Sequence, residues 1–544
     1  MRLSDRLSLL LLLAGMTIFN ASVEAQEWAV ARLVSGFDNE WVTHLSASEE
    51  YVVVAGSFRG HVKIGSETLE SAGGFDIFLA WYKPDGELIR VRQLKGPESD
   101  FPTALVATPD GEVWSGGTYT DFIVIGDSMF TPDFGSSGAF VVRWNTEGVP
   151  VDVTQCSGTG LEQITGIAPL SGGGFALGGY MSESCLLADT VIVATSNPAA
   201  FLSVHDSSGT VQRVHVIGDA GTVRATALTV LSDRSQLALA GNYQGTVSFA
   251  GDTLTAAASG TDIFLASMDA HGTPLWMTGA KGAWDDQAVA LATDEAGTFY
   301  LTGYLVGNLT FSNQIPLQSA DFQEDIFLAR YHRNGSPIWA LALQDPGEET
   351  GEALAIGGGK VYLVGHYSES LTIGGQTAIS PSGMVQSVCV VLDTAGQFEN
   401  LIPLHSNELS LAAAVTVLPG GQPAIGGGFS GSLTLPPEQL EALGGFDAYW
   451  AVWDEQTTSL HSPISLPPKL LTPWPNPSTT AVNVQWPERP VVWLLVNQSG
   501  QIFPLRSPLS GRVEVSHLPT GMYNLIATGQ SGKRYLVRFS VFAQ

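Results

Sequence analysis

Asp262-Ile263-Phe264-Leu265-Ala266 is a strand core that keeps returning along the chain, with near copies at Asp76-Ile77-Phe78-Leu79-Ala80 and Asp325-Ile326-Phe327-Leu328-Ala329. Looser echoes stand at Ala139-Phe140-Val141-Val142, Ala200-Phe201-Leu202-Ser203, Val388-Cys389-Val390-Val391 and Asp447-Ala448-Tyr449-Trp450. Their central positions, 78, 140, 201, 264, 327, 389 and 449, are 62, 61, 63, 63, 62 and 60 residues apart. So regular a period marks a repeat architecture. A second landmark keeps the same step: an aromatic closely following a Gly, at Phe58, Tyr119, Tyr180, Tyr243, Tyr304, Tyr367 and Phe429.

Each unit reads as four short strands. In one copy these are residues 287–293, built of small residues, then 298–304, 325–331 and the Trp339-bearing stretch 336–343, with Glu295-Ala296-Gly297 and Arg333-Asn334-Gly335 as turns. Short β-branched and aromatic strands punctuated by Gly turns are the pattern of a propeller blade. The predicted fold class is therefore all-β: a seven-bladed β-propeller with about 62 residues per blade. A β-solenoid is the alternative, though its rungs are usually much shorter. With the small-residue strand innermost, the Trp276- and Trp339-bearing segments fall outermost. Residues 27–33 match that outer segment, and the last unit ends near Asp454 without one. The N-terminal strand is thus expected to complete the last blade and remove an exposed edge.

The 544 residues carry 52 acidic and 24 basic side chains, a net charge of −28. That balance argues against nucleic acid and anionic membrane surfaces as partners. Three cysteines cannot build a disulfide framework. Cys389 takes the repeat position of Phe78 and should be buried, while Cys156 and Cys185 could pair in an oxidising compartment. Residues 1–25 read as a signal peptide: Arg2 and Arg6, an apolar run from Leu7 to Phe19, then Val23-Glu24-Ala25 before Gln26. No other stretch approaches 18 apolar residues, so no membrane span is expected in the mature chain. The domain boundaries predicted are 1–25 leader, 26–454 propeller, 455–469 linker and 470–544 C-terminal sandwich. A monomer is expected.

Tight turns such as Pro84-Asp85-Gly86 fall on one face, and two longer loop sets on the other. One set precedes each Asp-Ile-Phe-type strand; the second joins the outer strand of one blade to the inner strand of the next. The second set is acidic and aromatic, and Trp41, Asp100, Phe101, Trp284, Asp285, Asp286, Glu348 and Glu349 are the candidate site for a glycan or protein ligand. The alternative is that these are solvated turn and strand-cap residues. No cofactor is expected, with Ca²⁺ the one ion the acidic set could hold; no loop has the Asp/Asn ladder of an EF-hand. Asp76, Asp262, Asp325 and Asp447 start strands and give way to Gly138, Ala199 and Ser387 elsewhere. Acceptance of backbone N–H bonds at a loop–strand junction explains them better than catalysis. The histidines show no metal-ligand spacing, and no catalytic constellation stands out, so a non-enzymatic binding or structural module is expected. A polysaccharide hydrolase or lyase using the long-loop face is the alternative.

Two resemblances carry more. The Asp-x-Phe-Leu-Ala strand, Gly turn, Trp-bearing strand and Gly-aromatic strand of residues 27–454 resemble the SBBP-type β-propeller repeats of secreted bacterial proteins, which implies the fold and no chemistry. After a Pro-containing linker come Pro475-Asn476-Pro477, the Gly500 turn and Leu518-Pro519-Thr520-Gly521-Met522-Tyr523. This segment resembles the type A C-terminal sorting domain of the type IX (Por) secretion system. The resemblance implies Sec export, passage through the type IX machinery by way of residues 470–544, and a secreted or cell-surface location. The family usually finishes near a basic residue, whereas this chain runs on through Ser540-Val541-Phe542-Ala543-Gln544.

Overall fold

The computed structural model describes residues 27–132, 137–257, 260–320, 322–345, 347–381, 383–454, 469–471, 481–486, 490–497, 502–503, 512–516, 518–519, 521–529 and 534–541. The expected leader, all of the expected linker except Lys469, and Pro475, Asn476, Pro477 and Gly500 of the sorting segment lie outside them. The chain divides into two compact units, Met1–Glu455 and Gln456–Gln544.

The first unit is an all-β propeller. Its helical content among the described residues is two short 3-10 turns, Ser171–Gly173 and Ser312–Gln314. Each repeat makes a four-stranded antiparallel sheet, as in Gln287–Thr293, Phe299–Val306, Glu324–Tyr331 and Pro337–Leu343, ordered from inside out. The inner strands are Glu40–Ala47, Phe101–Ala107, Glu162–Pro169, Ala220–Val230, Gln287–Thr293, Glu349–Gly357 and Ser410–Val417. Each lies against the inner strand of the next sheet, and the last against the first, around a central channel.

Burial explains the strand composition. Second and third strands such as Val52–Phe58 and Asp76–Tyr82 are buried at every position because sheets pack on both their faces. Such strands read as continuous apolar runs with no alternation. Core clusters join neighbouring sheets; one, holding Val30, Phe78, Tyr82, Trp450 and Val452, joins the last sheet to the first. The strand Glu27–Gly36 pairs antiparallel with Asp447–Asp454, from Glu27 opposite Asp454 to Val34 opposite Ala448. The N-terminal strand therefore supplies the outer strand of the last sheet.

A bulge interrupts each inner strand at the same place, between Val42 and His44, Pro102 and Ala104, Ile164 and Gly166, Ala225 and Ala227, Ala288 and Ala290, Gly351 and Ala353, and Ala412 and Ala414. Facing the bulge on the second strand is always a glycine: Gly56, Gly117, Gly179, Gly241, Gly303, Gly365 or Gly427. A Cβ there would lie inside van der Waals distance of an inner-strand carbonyl oxygen, such as that of Leu411 for Gly427. The Gly of the sequence landmark is thus a packing requirement of the bulge.

One expectation is corrected here. The segments preceding the Asp-Ile-Phe-type strands are mostly hairpins added to the edge of the preceding sheet. His61–Ile64 pairs with Glu27–Gly36, Ser184–Leu187 with Pro150–Gly158, Asn308–Phe311 with Pro274–Gly282, and Ser432–Leu435 with Phe398–Ser406. They cover outer edges that would otherwise template association, and they staple one blade to the next.

The second unit holds a five-stranded sheet ordered Lys469–Leu471, Arg534–Val541, Gly521–Gly529, Pro490–Asn497 and Ile502–Phe503, and a two-stranded ribbon of Ala481–Asn483 with Arg512–Glu514. Lys469–Leu471 runs parallel to Arg534–Val541, so the sheet departs from the wholly antiparallel expectation. Val482, Leu495, Val513, Leu525, Val537 and Phe539 form its core. Of the expected sorting residues, Leu518 is buried, Gly521 begins a strand, and Tyr523 stacks on Phe539 with centroids 5.9 Å apart while donating its hydroxyl to the Pro519 carbonyl at 2.8 Å. Among the described residues no helix is long and apolar enough to cross a membrane.

Candidate functional site

The acidic loop set separates into two groups once placed in the fold. Phe101, Trp284 and Glu348 are exposed, Trp284 at 56% and Phe101 at 41%. Asp285 is also exposed, and accepts the Thr261 N–H at 2.9 Å. Trp41 is half-buried and stacks on Phe446 at 4.4 Å, so its face is already covered. Asp100, Asp286 and Glu349 are wholly buried, which removes them from any surface ligand set.

These three belong to a different device. Each stands at the entry to an inner strand and faces the recurrent Asp of the preceding sheet: Asp100 faces Asp76, Asp286 faces Asp262, Glu349 faces Asp325, and across the ring closure Glu40 faces Asp447. The recurrent Asp anchors a loop, Asp262 accepting N–H bonds from Ala257 and Gly282 at 2.9 Å, and Asp447 one from Leu443 at 2.9 Å. Its inner-strand partner then carries the proton. Burial pushes Glu40 up to about 9, and the neighbouring Asp447 carboxyl adds to the rise. Burial likewise takes Glu349 to about 9, Asp100 to about 8 and Asp286 to about 7. Two carboxyls sharing a buried site cannot both ionise cheaply, so each pair holds a proton near neutral pH.

Where the Asp is missing the partner does not always change with it: Gly138 replaces it ahead of Glu162, which stays buried and is raised to about 7 by that burial. Ser387 replaces it in one sheet, and there Ser387 N–H donates to Ser410 Oγ at 2.9 Å while Ala412 N–H donates to Ser387 Oγ at 2.6 Å. The signal was in the sequence: Gly36/Glu40, Gly96/Asp100, Gly158/Glu162 and Gly282/Asp286 repeat at a spacing of four, and Asp76/Asp100, Asp262/Asp286 and Asp325/Glu349 at 24. The glycine is needed because a Cβ at Gly36, Gly96, Gly158 or Gly282 would collide with that carboxyl.

An open site lies on the same face, between three consecutive sheets. A cavity of about 540 Å³ opens among the inner strands Glu162–Pro169, Ala220–Val230 and Gln287–Thr293. The bulges create it, because the bulged residues Thr165, Thr226 and Val289 all line it. Around them stand the carboxamides Gln163, Asn242, Gln244 and Gln287, the hydroxyls Thr222 and Thr261, and Tyr180 and Arg224. Asn242 is structural, its amide clamping Ala288 of the next sheet through both N–H and C=O, at 2.8 and 3.2 Å. Gln244 donates to Thr261 Oγ1 at 3.2 Å. Arg224 is exposed, lies 5.6 Å over the Tyr180 ring, and makes no ion pair among the described residues.

Sequence reading missed this cavity, although one cue was present. Arg224 is the single Lys or Arg on the seven inner strands, whose other residues are mostly small, apolar or hydroxylic. A second cavity, of about 480 Å³, holds Asp294, Arg330 and the Gly357–Gly359 turn. Its Arg330 and Asp294 are spent internally: Arg330 pairs with Asp294 at 2.9 Å, lies 5.2 Å over Tyr300 and donates to the Thr394 carbonyl at 2.7 Å. Among the described residues no group of three or more His, Cys, Asp and Glu side chains could hold a metal ion.

No family model matches the chain, and no curated relative does. Among solved structures, it aligns with the Dos1 propeller over 78% of this chain and 95% of that one, at 8% identity and a TM-score of 0.37. Kuenenia stuttgartiensis hydrazine synthase aligns over 71% and 92%, at 10% identity and 0.39. A prolyl endopeptidase aligns over 94% and 62%, at 10% identity and 0.39.

Proposed function

We propose that this chain is an exported, non-enzymatic β-propeller that binds a small polar ligand at the mouth of its central channel. The observation carrying the reading is the cavity of about 540 Å³, a size usual for ligand sites, walled by carboxamides, hydroxyls and one guanidinium on three rigid inner strands. Such walls suit a ligand rich in hydroxyl groups, since each polar wall atom left unmatched would cost binding energy. We read the ring as seven-bladed, on the strength of the seven inner strands in cyclic contact and of the last sheet's completion by Glu27–Gly36.

The export route rests on the leader-like residues 1–25 and on the sorting-domain resemblance of residues 470–544, for which a small sandwich is the reading of the five-stranded sheet and its facing ribbon. Expression in a host with type IX machinery tests it: the full chain should reach the medium or cell surface, and a chain truncated after residue 455 should stay in the periplasm. Equal export of both would refute the route. A glycan array probed with the full chain tests the binding role, with hits lost in Gln244→Ala and Gln287→Ala.

One observation favours the polysaccharide-cleaving alternative. Tyr304, opposite Gln287, faces Glu324, Asp285 and Glu352, and burial holds the Glu324 carboxyl above its ordinary value, with Glu348 and Glu352 adding to it. A raised carboxyl beside others is what a general acid requires. Release of reducing ends from a bound polymer, abolished in Glu324→Gln, would establish that reading over simple binding.

A further inference from the structure

We infer that the channel-mouth cavity takes a monoanionic sugar, a uronic acid unit, with its carboxylate on Arg224 and its hydroxyls on the surrounding carboxamides and threonines. The inference rests on the binding role proposed above and names its ligand class.

The argument begins with charge. The chain has 28 more acidic than basic side chains, yet among the described residues no carboxylate lines this cavity, and its one ionic group is a guanidinium. Arg224 is not tied up in structure: its only side-chain partner among the described residues is the Tyr180 ring, which holds the guanidinium in place from one side. Tyr180 is itself fixed, its hydroxyl donating to Gln163 Oε1 at 2.5 Å. A planar guanidinium already oriented by stacking offers its N–H fork to a carboxylate with little ordering cost.

One cation selects one negative charge. A phosphate monoester would bring a second that the walls leave unmatched. A zwitterionic peptide end would need a carboxylate near its ammonium, and an apolar ligand would find only Ala225, Ala288, Val289 and the Tyr180 ring that Arg224 already covers. The remaining groups, Gln244, Gln287, Thr222 and Thr261, supply neutral donors and acceptors, the complement of ring hydroxyls. Polarity then fixes the pose. Tyr304 lies opposite Gln287, with Asp285 and Glu324 beyond it, so the ground past the Gln287 side of the cavity is negative while the Arg224 side is positive. The sugar carboxylate is pushed from the Glu324 side toward Arg224.

The test is calorimetric titration of the full chain with galacturonate and with neutral galactose as the matched probe, beside digalacturonate to separate free sugar from a polymer segment. Galacturonate should bind about tenfold or more tightly than galactose, as loss of a charge-assisted hydrogen bond predicts. Arg224→Gln should erase that preference and Arg224→Lys retain part of it, both with the wild-type unfolding midpoint. Equal affinity for galacturonate and galactose, or a preference that survives Arg224→Gln, overturns the inference while leaving a neutral-sugar site in place. Silence toward acidic and neutral sugars alike overturns both the inference and the binding role beneath it.

Discussion

Glu40 and Asp447 meet where the chain closes its ring, and replacing Glu40 by Gln should change how stability depends on pH. In the folded chain Glu40 is wholly buried beside Asp447, which holds it protonated up to about 9, against an ordinary value near 4.5. The groups around it act in known directions: burial, Asp447 and Asp38 raise it, and the Gly36 backbone pulls it down. Between those two values the folded chain binds more protons than the unfolded one, so stability falls as pH rises. The contribution is complete below about 4.5 and is lost as pH climbs to about 9. A single such group contributes a slope of about 1.4 kcal/mol per pH unit, so from pH 6 to 8 this pair alone costs about 3 kcal/mol. Gln keeps an N–H donor for Asp447 and cannot ionise. Urea unfolding of the wild type and Glu40→Gln at pH 6 and pH 8 should therefore show the variant losing about 3 kcal/mol less across the interval. Exposed Glu348→Gln serves as the control and should follow the wild type. Parallel losses in wild type and Glu40→Gln would refute the shared proton.

Other consequences are as direct. Gly427→Ala drives a Cβ into the Leu411 carbonyl and the Ala412 backbone, neither of which can retreat, and should lower stability by about 3 kcal/mol in thermal or urea unfolding. Deleting residues 27–36 strips the outer strand from the last sheet and the partner from His61–Ile64, and should yield a chain that aggregates or fails to fold, read by size-exclusion chromatography. Cys156 and Cys185 are buried with sulfurs 3.1 Å apart, so material from an oxidising compartment should show a mass 2 Da lower under non-reducing conditions, with both thiols blocked to alkylation. Arg330→Met leaves Asp294 half-sheltered without its cation and should destabilise by about 2 kcal/mol, a loss that the double change with Asp294→Leu largely restores.

Much of the propeller could be read from the linear chain because its determinants are local and repeated. A strand packed on both faces must be apolar throughout, so Asp-Ile-Phe-Leu-Ala announces itself at each recurrence; tight turns demand Gly at fixed offsets, and the bulge demands Gly opposite it. The matching of residues 27–33 to an unfilled outer position was legible for the same reason. What escaped the sequence depends on which side chains distant strands bring together. Acidic residues at the blade junctions look alike in sequence, whether exposed like Glu348 or wholly buried like Glu349. Only the packing of one sheet on the next makes one a solvated surface group and its neighbour a proton-sharing partner of Asp325, because desolvation is set by the whole fold. The channel-mouth cavity is likewise a product of three bulges held side by side. Arg224 was visible as an isolated basic residue on a small-residue strand, but its lack of an ion pair among the described residues, and the amide-lined space before it, came only with tertiary structure.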